Sequence, residues 1–276
     1  MENTSGTIVQ VEPDPENPEY YVLSQIKPAD GPGKSLRYNR EESLLLCNME
    51  DSITVKQIIP DKNGLTDTPV RIPAAENFQN LTLSATPRIE DFVALRQNGV
   101  ILANSEGEIV VYTFDAGTGT HKQLHSVNLN LDQDPTSMKQ QVTCMALSEA
   151  EDYLVVATIT DSEGMPAKLK HLMVFHVGVD GKLDLQDVRE FVGSGPNSMY
   201  SYINFDYKCN GVPLAIAFQP EDERRCDVFA FIDGKLELAY TKMGYHSSDF
   251  TAIRAVSGKI VSIDYNGVMR ILSVPE

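Results

Sequence analysis

Val142-Thr143-Cys144-Met145-Ala146-Leu147-Ser148-Glu149-Ala150-Glu151-Asp152-Tyr153-Leu154-Val155-Val156-Ala157 holds two apolar runs around a short polar turn. Each run lasts about six residues and favours β-branched, aromatic and small apolar side chains, a length and composition that suit a strand buried on both faces better than a helix. The stretch therefore predicts an antiparallel hairpin. What lies on either side repeats it, and that repetition decides the fold.

After Tyr153–Ile159 and a polar excursion, 160–168, come a third apolar run, Leu169–Val177, the turn Asp180-Gly181, and a fourth run, Leu183–Val188. Downstream the same grammar returns as Pro213–Phe218, Cys226–Ile232, the turn Asp233-Gly234 and Leu236–Tyr240. The last copy is Lys259–Ile263, the turn Tyr265-Asn266-Gly267 and Val268–Val274. Upstream it reads Val100–Ala103, Ile109–Phe114 and Gln123–Leu129, and before that Leu44–Cys47, Ile53–Ile59 and Val70–Ile72. A further strand precedes each copy: Ser35–Asn39, Phe92–Gln97, Gln141–Leu147, Tyr200–Tyr207 and Phe250–Val256, with Asn98-Gly99 and Ser257-Gly258 as tight hairpin turns. Self-similarity at a period of several tens of residues marks a repeat architecture. The starts at Leu44, Val100, Tyr153, Pro213 and Lys259 are 56, 53, 60 and 46 residues apart.

These signals predict an all-β chain of about five four-stranded antiparallel units, closed into a β-propeller. A sixth unit fits if 73–91, the poorest match to the pattern, conceals strands. The last copy stops where its outermost strand should begin, and Tyr20–Ile26 is a free β-like run. Placing it beside Val268–Val274 would seal the final sheet and remove an open edge. Pro13, Pro15 and Pro18 make the first 19 residues an extended acidic arm, leaving 20–276 as a single propeller domain.

Lys and Arg number 23 against 39 Asp and Glu, a formal charge of −16 that repels phosphate backbones and anionic membranes and favours protein partners with basic surfaces. No direct contact with nucleic acid is expected. The acidic start lacks the basic and apolar regions of a secretory signal, and no apolar run approaches the ~18 residues of a membrane-spanning helix. A cytoplasmic or nuclear protein is expected. Cys47, Cys144, Cys209 and Cys226 are far apart and fit buried free thiols rather than a zinc site.

The hairpin Val142–Ala157 resembles the inner hairpin of a WD40-type propeller blade, with its small residue, acidic polar turn and aromatic residue ahead of aliphatics. The chain has no Trp, hence no Trp-Asp dipeptide. A second resemblance is to lactonase-like propellers, carried by Val174-Phe175-His176-Val177 with Asp180-Gly181-Lys182-Leu183 and again by Phe231-Ile232-Asp233-Gly234-Lys235-Leu236. Both resemblances imply a propeller and neither implies a particular activity.

Chemistry is sparse. His121 and His125 would share one strand face but have no carboxylate or thiol cluster beside them. Glu90, Asp91 and Asp249 lie near inner strands, where glycosidase propellers gather carboxylates. The glycines of 115–120 and 193–197 read as turns, and no nucleophile elbow is present. No catalytic residue, cofactor or metal site is expected. Partner binding is expected at the aromatic loops ahead of the last two inner strands, through Tyr200, Tyr202, Tyr245, His246 and Asp249. The sequence therefore points to a non-enzymatic protein-interaction scaffold within an assembly, with a propeller-fold hydrolase of a sugar or lactone as the alternative.

Overall fold

The computed structural model describes residues 8–13, 21–26, 35–39, 44–49, 51–59, 64–65, 70–74, 87–129, 139–161, 169–192, 199–209, 212–219, 224–242, 246, 250–256 and 259–273. All regular structure among them is β-strand. A hairpin, β1 (Ile8–Pro13) and β2 (Tyr21–Ile26), precedes five sheets. The first sheet comprises β3 (Ser35–Asn39), β4 (Leu44–Asn48), β5 (Ser52–Ile59), β6 (Gly64–Leu65) and β7 (Val70–Pro73). The second comprises β8 (Ile89–Leu95), β9 (Gly99–Asn104), β10 (Glu108–Asp115) and β11 (Thr120–Asn128). The third comprises β12 (Lys139–Leu147), β13 (Tyr153–Asp161), β14 (Leu169–Val177) and β15 (Leu183–Val192). The fourth comprises β16 (Tyr202–Cys209), β17 (Val212–Gln219), β18 (Arg225–Ile232) and β19 (Lys235–Lys242). The fifth comprises β20 (Phe250–Val256), β21 (Lys259–Asp264) and β22 (Met269–Ser273). Three of the five are plain four-stranded antiparallel sheets in chain order, as the repeated hairpins predict.

The chain divides into two compact units: residues 1–89, 94–101 and 112–123 form one, and residues 90–93, 102–111 and 124–276 the other. The first holds the hairpin and the first sheet, whose inner positions Leu44, Leu46, Ile53, Val55, Val70 and Ile72 are buried. The second holds the third, fourth and fifth sheets entire.

Within the second unit, strand alternation builds the core. On β17, Ala215 and Ala217 point to one face and Leu214, Ile216 and Phe218 to the other. The alanine face, with Phe229, packs with Cys144, Ala146, Val155, Ala157, Leu172 and Val174 of the third sheet. The larger face, with Cys226 and Val228, packs with Ile260 of the fifth, and Leu272 lies against it. The fourth sheet is thus apolar on both sides. This is why its strands read as continuous hydrophobic runs.

The two Asp-Gly turns recur with the same structural consequence. Gly181 and Gly234 have φ of +80° and +77°, conformations costly to a side chain with a Cβ. A Cβ on Gly181 would stand 2.9 Å from Leu124. Five residues beyond each glycine the outer strand bulges: Gln186 is the extra residue between the pairs Phe175↔Leu185 and Val174↔Asp187, and Ala239 between Phe229↔Leu238 and Val228↔Tyr240.

One expectation is corrected, at the Asn98-Gly99 turn, and the expected closing pair is not among the described pairings. Tyr21–Ile26 pairs antiparallel with Ile8–Pro13, from Ile8↔Ile26 to Pro13↔Tyr21, so its described partner is a strand inside the stretch expected to be an arm and not Val268–Val274. A strand forms there because Ile8, Val9 and Val11 alternate or run as β-formers ahead of the prolines. Among the described residues, the fifth sheet therefore ends at β22. The hairpin expected at Asn98-Gly99 turns one residue earlier, where Gln97 and Asn98 both have φ of 58°. Gly99 instead allows close approach, since a Cβ there would lie 2.8 Å from that of Leu95. Residues 75–86, Ser257-Gly258 and the 193–197 turn lie outside the described residues.

Candidate functional site

The richest polar geometry in the second unit belongs to the segments just ahead of β16 and β20, the region expected from sequence to contact partners. His246 precedes β20 and is buried. Its Nδ1 is 3.2 Å from Asp264 Oδ2 and its Nε2 is 2.5 Å from Ser262 Oγ. Asp264 closes β21, where its Oδ1 accepts the backbone N–H groups of Asn266 and Val268, both at 3.0 Å, shaping the Asn-Gly turn into β22. Burial pushes the Asp264 carboxyl pKa up. Donation from Val268, His246 and Asn266 outweighs that and holds it below the usual carboxylate value. With a neutral imidazole, the ionised carboxylate accepts from Nδ1–H, which leaves Nε2 to accept a hydrogen bond from the Ser262 hydroxyl.

Serine, histidine and carboxylate thus follow one another in the order of a nucleophilic triad. Exposure decides the chemistry. Ser262 is 1% exposed and His246 3%, so no acyl substrate can reach the hydroxyl in this arrangement. The trio instead fastens the chain before β20 to the second strand and the following turn of its own sheet.

A second buried carboxylate plays the corresponding part in the fourth sheet. Asp227, on β18, accepts the Tyr200 hydroxyl at 2.5 Å, Arg225 Nε at 2.8 and 2.7 Å, and the Thr241 hydroxyl at 2.7 Å. The Tyr200 carbonyl in turn accepts from Thr143 Oγ1 at 2.5 Å and Cys144 Sγ at 3.3 Å, tying the third sheet to the fourth. Lys170 Nζ sits 4.8 Å from the Tyr200 ring centroid, a buried cation–π contact. Burial, with the negative charge of Asp227 adding to it, pushes the Cys226 thiol pKa up to about 12, and burial raises that of Cys144 well above its ordinary value. Neither thiol is a nucleophile at neutral pH.

The aromatic residues expected to bind partners therefore separate. Tyr200 and His246 are buried and hydrogen-bonded inside their sheets. Tyr202 is half-buried and packs against the Leu214–Phe218 cluster. Tyr245 and Asp249 lie outside the described residues. Of the inner-strand acids, Asp91 accepts backbone N–H groups from Phe92 and Met145, each at 2.8 Å, and so joins β8 to β12. His121 lies edge-on to Tyr112, and His171 is 3.3 Å from Glu190. Among the described residues, no group of three His, Cys, Asp or Glu side chains could hold a metal ion.

The sequence carried half a signal for the His246 trio. An Asp two residues before Asn-Gly reads as a turn cap. Its pairing with a histidine 18 residues upstream depends on the antiparallel return of the sheet.

No family model matches the chain and no curated protein matches it. Solved structures do. A protein of Bacteroides uniformis, provisionally described as a 6-phosphogluconolactonase, superposes with a TM-score of 0.66 at 14% identity over 99% of this chain and 75% of its own. A similarly described Bacteroides fragilis protein gives 0.62 at 13% identity over 97% and 73%. The Nup133 β-propeller domain of Vanderwaltozyma polyspora gives 0.60 at 8% identity over 91% and 76%. At these identities the likeness is one of fold. The chain has the β-propeller fold, built from antiparallel four-stranded sheets, and its likeness to both lactonase-like and other propellers matches the two resemblances read from the sequence.

Proposed function

We propose that the chain is a non-enzymatic interaction protein, a subunit of a larger assembly that holds other proteins on its outer strands. The observation that carries this is a repeat on the surface. Leu185 of β15 and Leu238 of β19 stand next to equivalent bulges and are both exposed, as are Val188 and Tyr240 farther along the same strands. Leu185 and Leu238, exposed at matching positions of successive outer strands, with Val188 and Tyr240 exposed nearby, offer an extended segment both backbone pairing and side-chain contact. The charge of −16 favours a partner with a basic surface. Buried free thiols at Cys47, Cys144 and Cys226 suit the reducing interior of a cell, cytoplasmic or nuclear.

Native co-purification with mass spectrometry tests this, comparing the wild type with a Leu185→Asp/Leu238→Asp chain. Specific proteins recovered with the first and lost with the second support the proposal. Recovery of the wild type as a partner-free chain at both low and high salt overturns it.

A second function, hydrolysis of a sugar or lactone, is favoured by how the two Bacteroides structures are described, and on that ground the comparisons lean towards it. Asp91 is the acidic residue to test, although its carboxylate already caps two backbone amides. Turnover of 6-phosphogluconolactone above its spontaneous hydrolysis, lost in Asp91→Asn without loss of folding, would establish this activity. A rate equal to the buffer blank would remove it.

A further inference from the structure

The third sheet carries a polar row on the face turned away from the fourth sheet. Ala157 and Leu172 pack with the fourth sheet, and strand alternation sends their neighbours Thr158 and His171 to the other side. The register pairs Gln140 with Thr160, Thr158 with His171 and His171 with Glu190. One face therefore holds Gln140, Thr158, Thr160, His171 and Glu190, spread over all four strands. Farther along the same face the pairs are apolar, Val156 with Met173 and Leu154 with Phe175. Within the row, Thr158 Oγ1 donates to Gln140 Oε1 at 2.5 Å, and His171 Nε2 is 3.3 Å from Glu190 Oε2. Thr160 Oγ1 and His171 Nδ1, by contrast, are buried with no hydrogen-bond partner in the protein. Thr160 is 4% exposed and His171 8%. A buried polar atom left unpaired is costly, and two of them on neighbouring strands ask for a shared partner.

We infer that one internal water molecule bridges Thr160 Oγ1 and His171 Nδ1 and pins β13 to β14 at this end of the third sheet.

Spacing and donor pattern both fit a water. Thr160 lies two residues beyond Thr158, the direct partner of His171, so Thr160 and His171 are diagonal neighbours on one face. At that offset Cβ atoms are somewhat under about 7–8 Å apart. The polar atoms reach inward from there, and two hydrogen bonds through one water span about 4.5–5.5 Å. With a neutral imidazole, Nε2–H donates to the Glu190 carboxylate, which leaves Nδ1 as an acceptor. A water donates to Nδ1 and accepts from the Thr160 hydroxyl at once, satisfying both. Internal waters serve two to four such partners. A metal ion fits less well, because among the described residues no group of three His, Cys, Asp or Glu side chains could hold one. The Glu190 side chain is 60% exposed, so the outer strand brings solvent up to His171 and gives the water a route of exchange.

A high-resolution crystal structure of the full chain tests this directly. Density is expected about 2.7–3.2 Å from both Thr160 Oγ1 and His171 Nδ1. Thr160→Val keeps the shape of the side chain and removes its hydroxyl. It should lower the thermal midpoint by about 2–4 °C and abolish or displace the density. Thr160→Ser, which keeps the hydroxyl, should retain it. An orphan hydroxyl with no water gives the opposite result, because its removal then relieves a cost. A midpoint unchanged or raised in Thr160→Val overturns the inference. Wild-type density that is missing, or that touches only one of the two atoms, overturns it as well. Nitrogen-15 NMR of His171 in the wild type adds a readout that packing alone does not move. In the neutral ring, Nε2 protonated and Nδ1 bare is the expected tautomer. A dominant Nδ1–H tautomer removes the acceptor, and the bridge as assigned falls.

Discussion

The fourth and fifth sheets of the second unit are built from the same hairpins, yet one is buried on both faces and the other on one. In β17 every position from Leu214 to Phe218 is buried; in β22 Leu272 alone is partly covered. Sequence hydrophobicity does not foretell this. Met269 and Ile271 are as apolar as Leu214 and Ile216, yet the first two are exposed and the second two buried. The difference is position. Among the described residues of the second unit, the fourth sheet packs against the third on one face and the fifth on the other, and the fifth packs against the fourth. Burial is thus a property of the stack, and an identical β-branched side chain contributes to stability only where a second sheet meets it.

Four substitutions sharpen that contrast, in order of expected effect. Asp227→Ala leaves Arg225 without its carboxylate and Tyr200 and Thr241 without their acceptor inside the fourth sheet. A loss of about 3–5 kcal/mol is expected by chemical denaturation. Ile216→Ala opens a cavity between the fourth and fifth sheets and should cost about 2–4 kcal/mol. Ser262→Ala removes the donor to His246 Nε2, with about 1–2 kcal/mol lost and the fold retained. Ile271→Ala, at the same residue type on the open face, should change stability by no more than about 0.5 kcal/mol. If Ile271→Ala cost as much as Ile216→Ala, the two faces would not differ as described.

Acid titration examines the fifth sheet separately. The folded pKa of Asp264 lies below its unfolded value, so its contribution is fully present above the ordinary carboxylate range and is lost as pH falls through the folded pKa. Stability of the wild type should decline on acidification below about pH 4. The same decline should be shallower in Asp264→Asn.

Legibility followed the range of the interaction that fixes each feature. Strand boundaries came out within a few residues because alternation, Asp-Gly turns and short apolar runs are local signals. Phe250–Val256 and Leu169–Val177 coincide with β20 and β14 end to end. The Gln97–Asn98 turn was displaced by one because a glycine can serve close packing as well as positive φ. The surroundings of the candidate contact residues were not legible in the same way. Tyr200 and His246 have the composition of a binding loop, and only partners at Asp227, Thr143, Ser262 and Asp264, tens of residues away in the chain or across a sheet, turn them inward.

The sequence by itself determined the all-β class, the four-stranded grammar of the repeated units and the turns that separate their strands, since each rests on residues within one hairpin's reach. Tertiary structure alone decided which apolar faces meet another sheet, which polar groups close buried networks, and that Tyr21–Ile26 pairs with Ile8–Pro13. Those outcomes depend on long-range pairing, for which several strands of similar composition compete, and periodicity cannot choose among them.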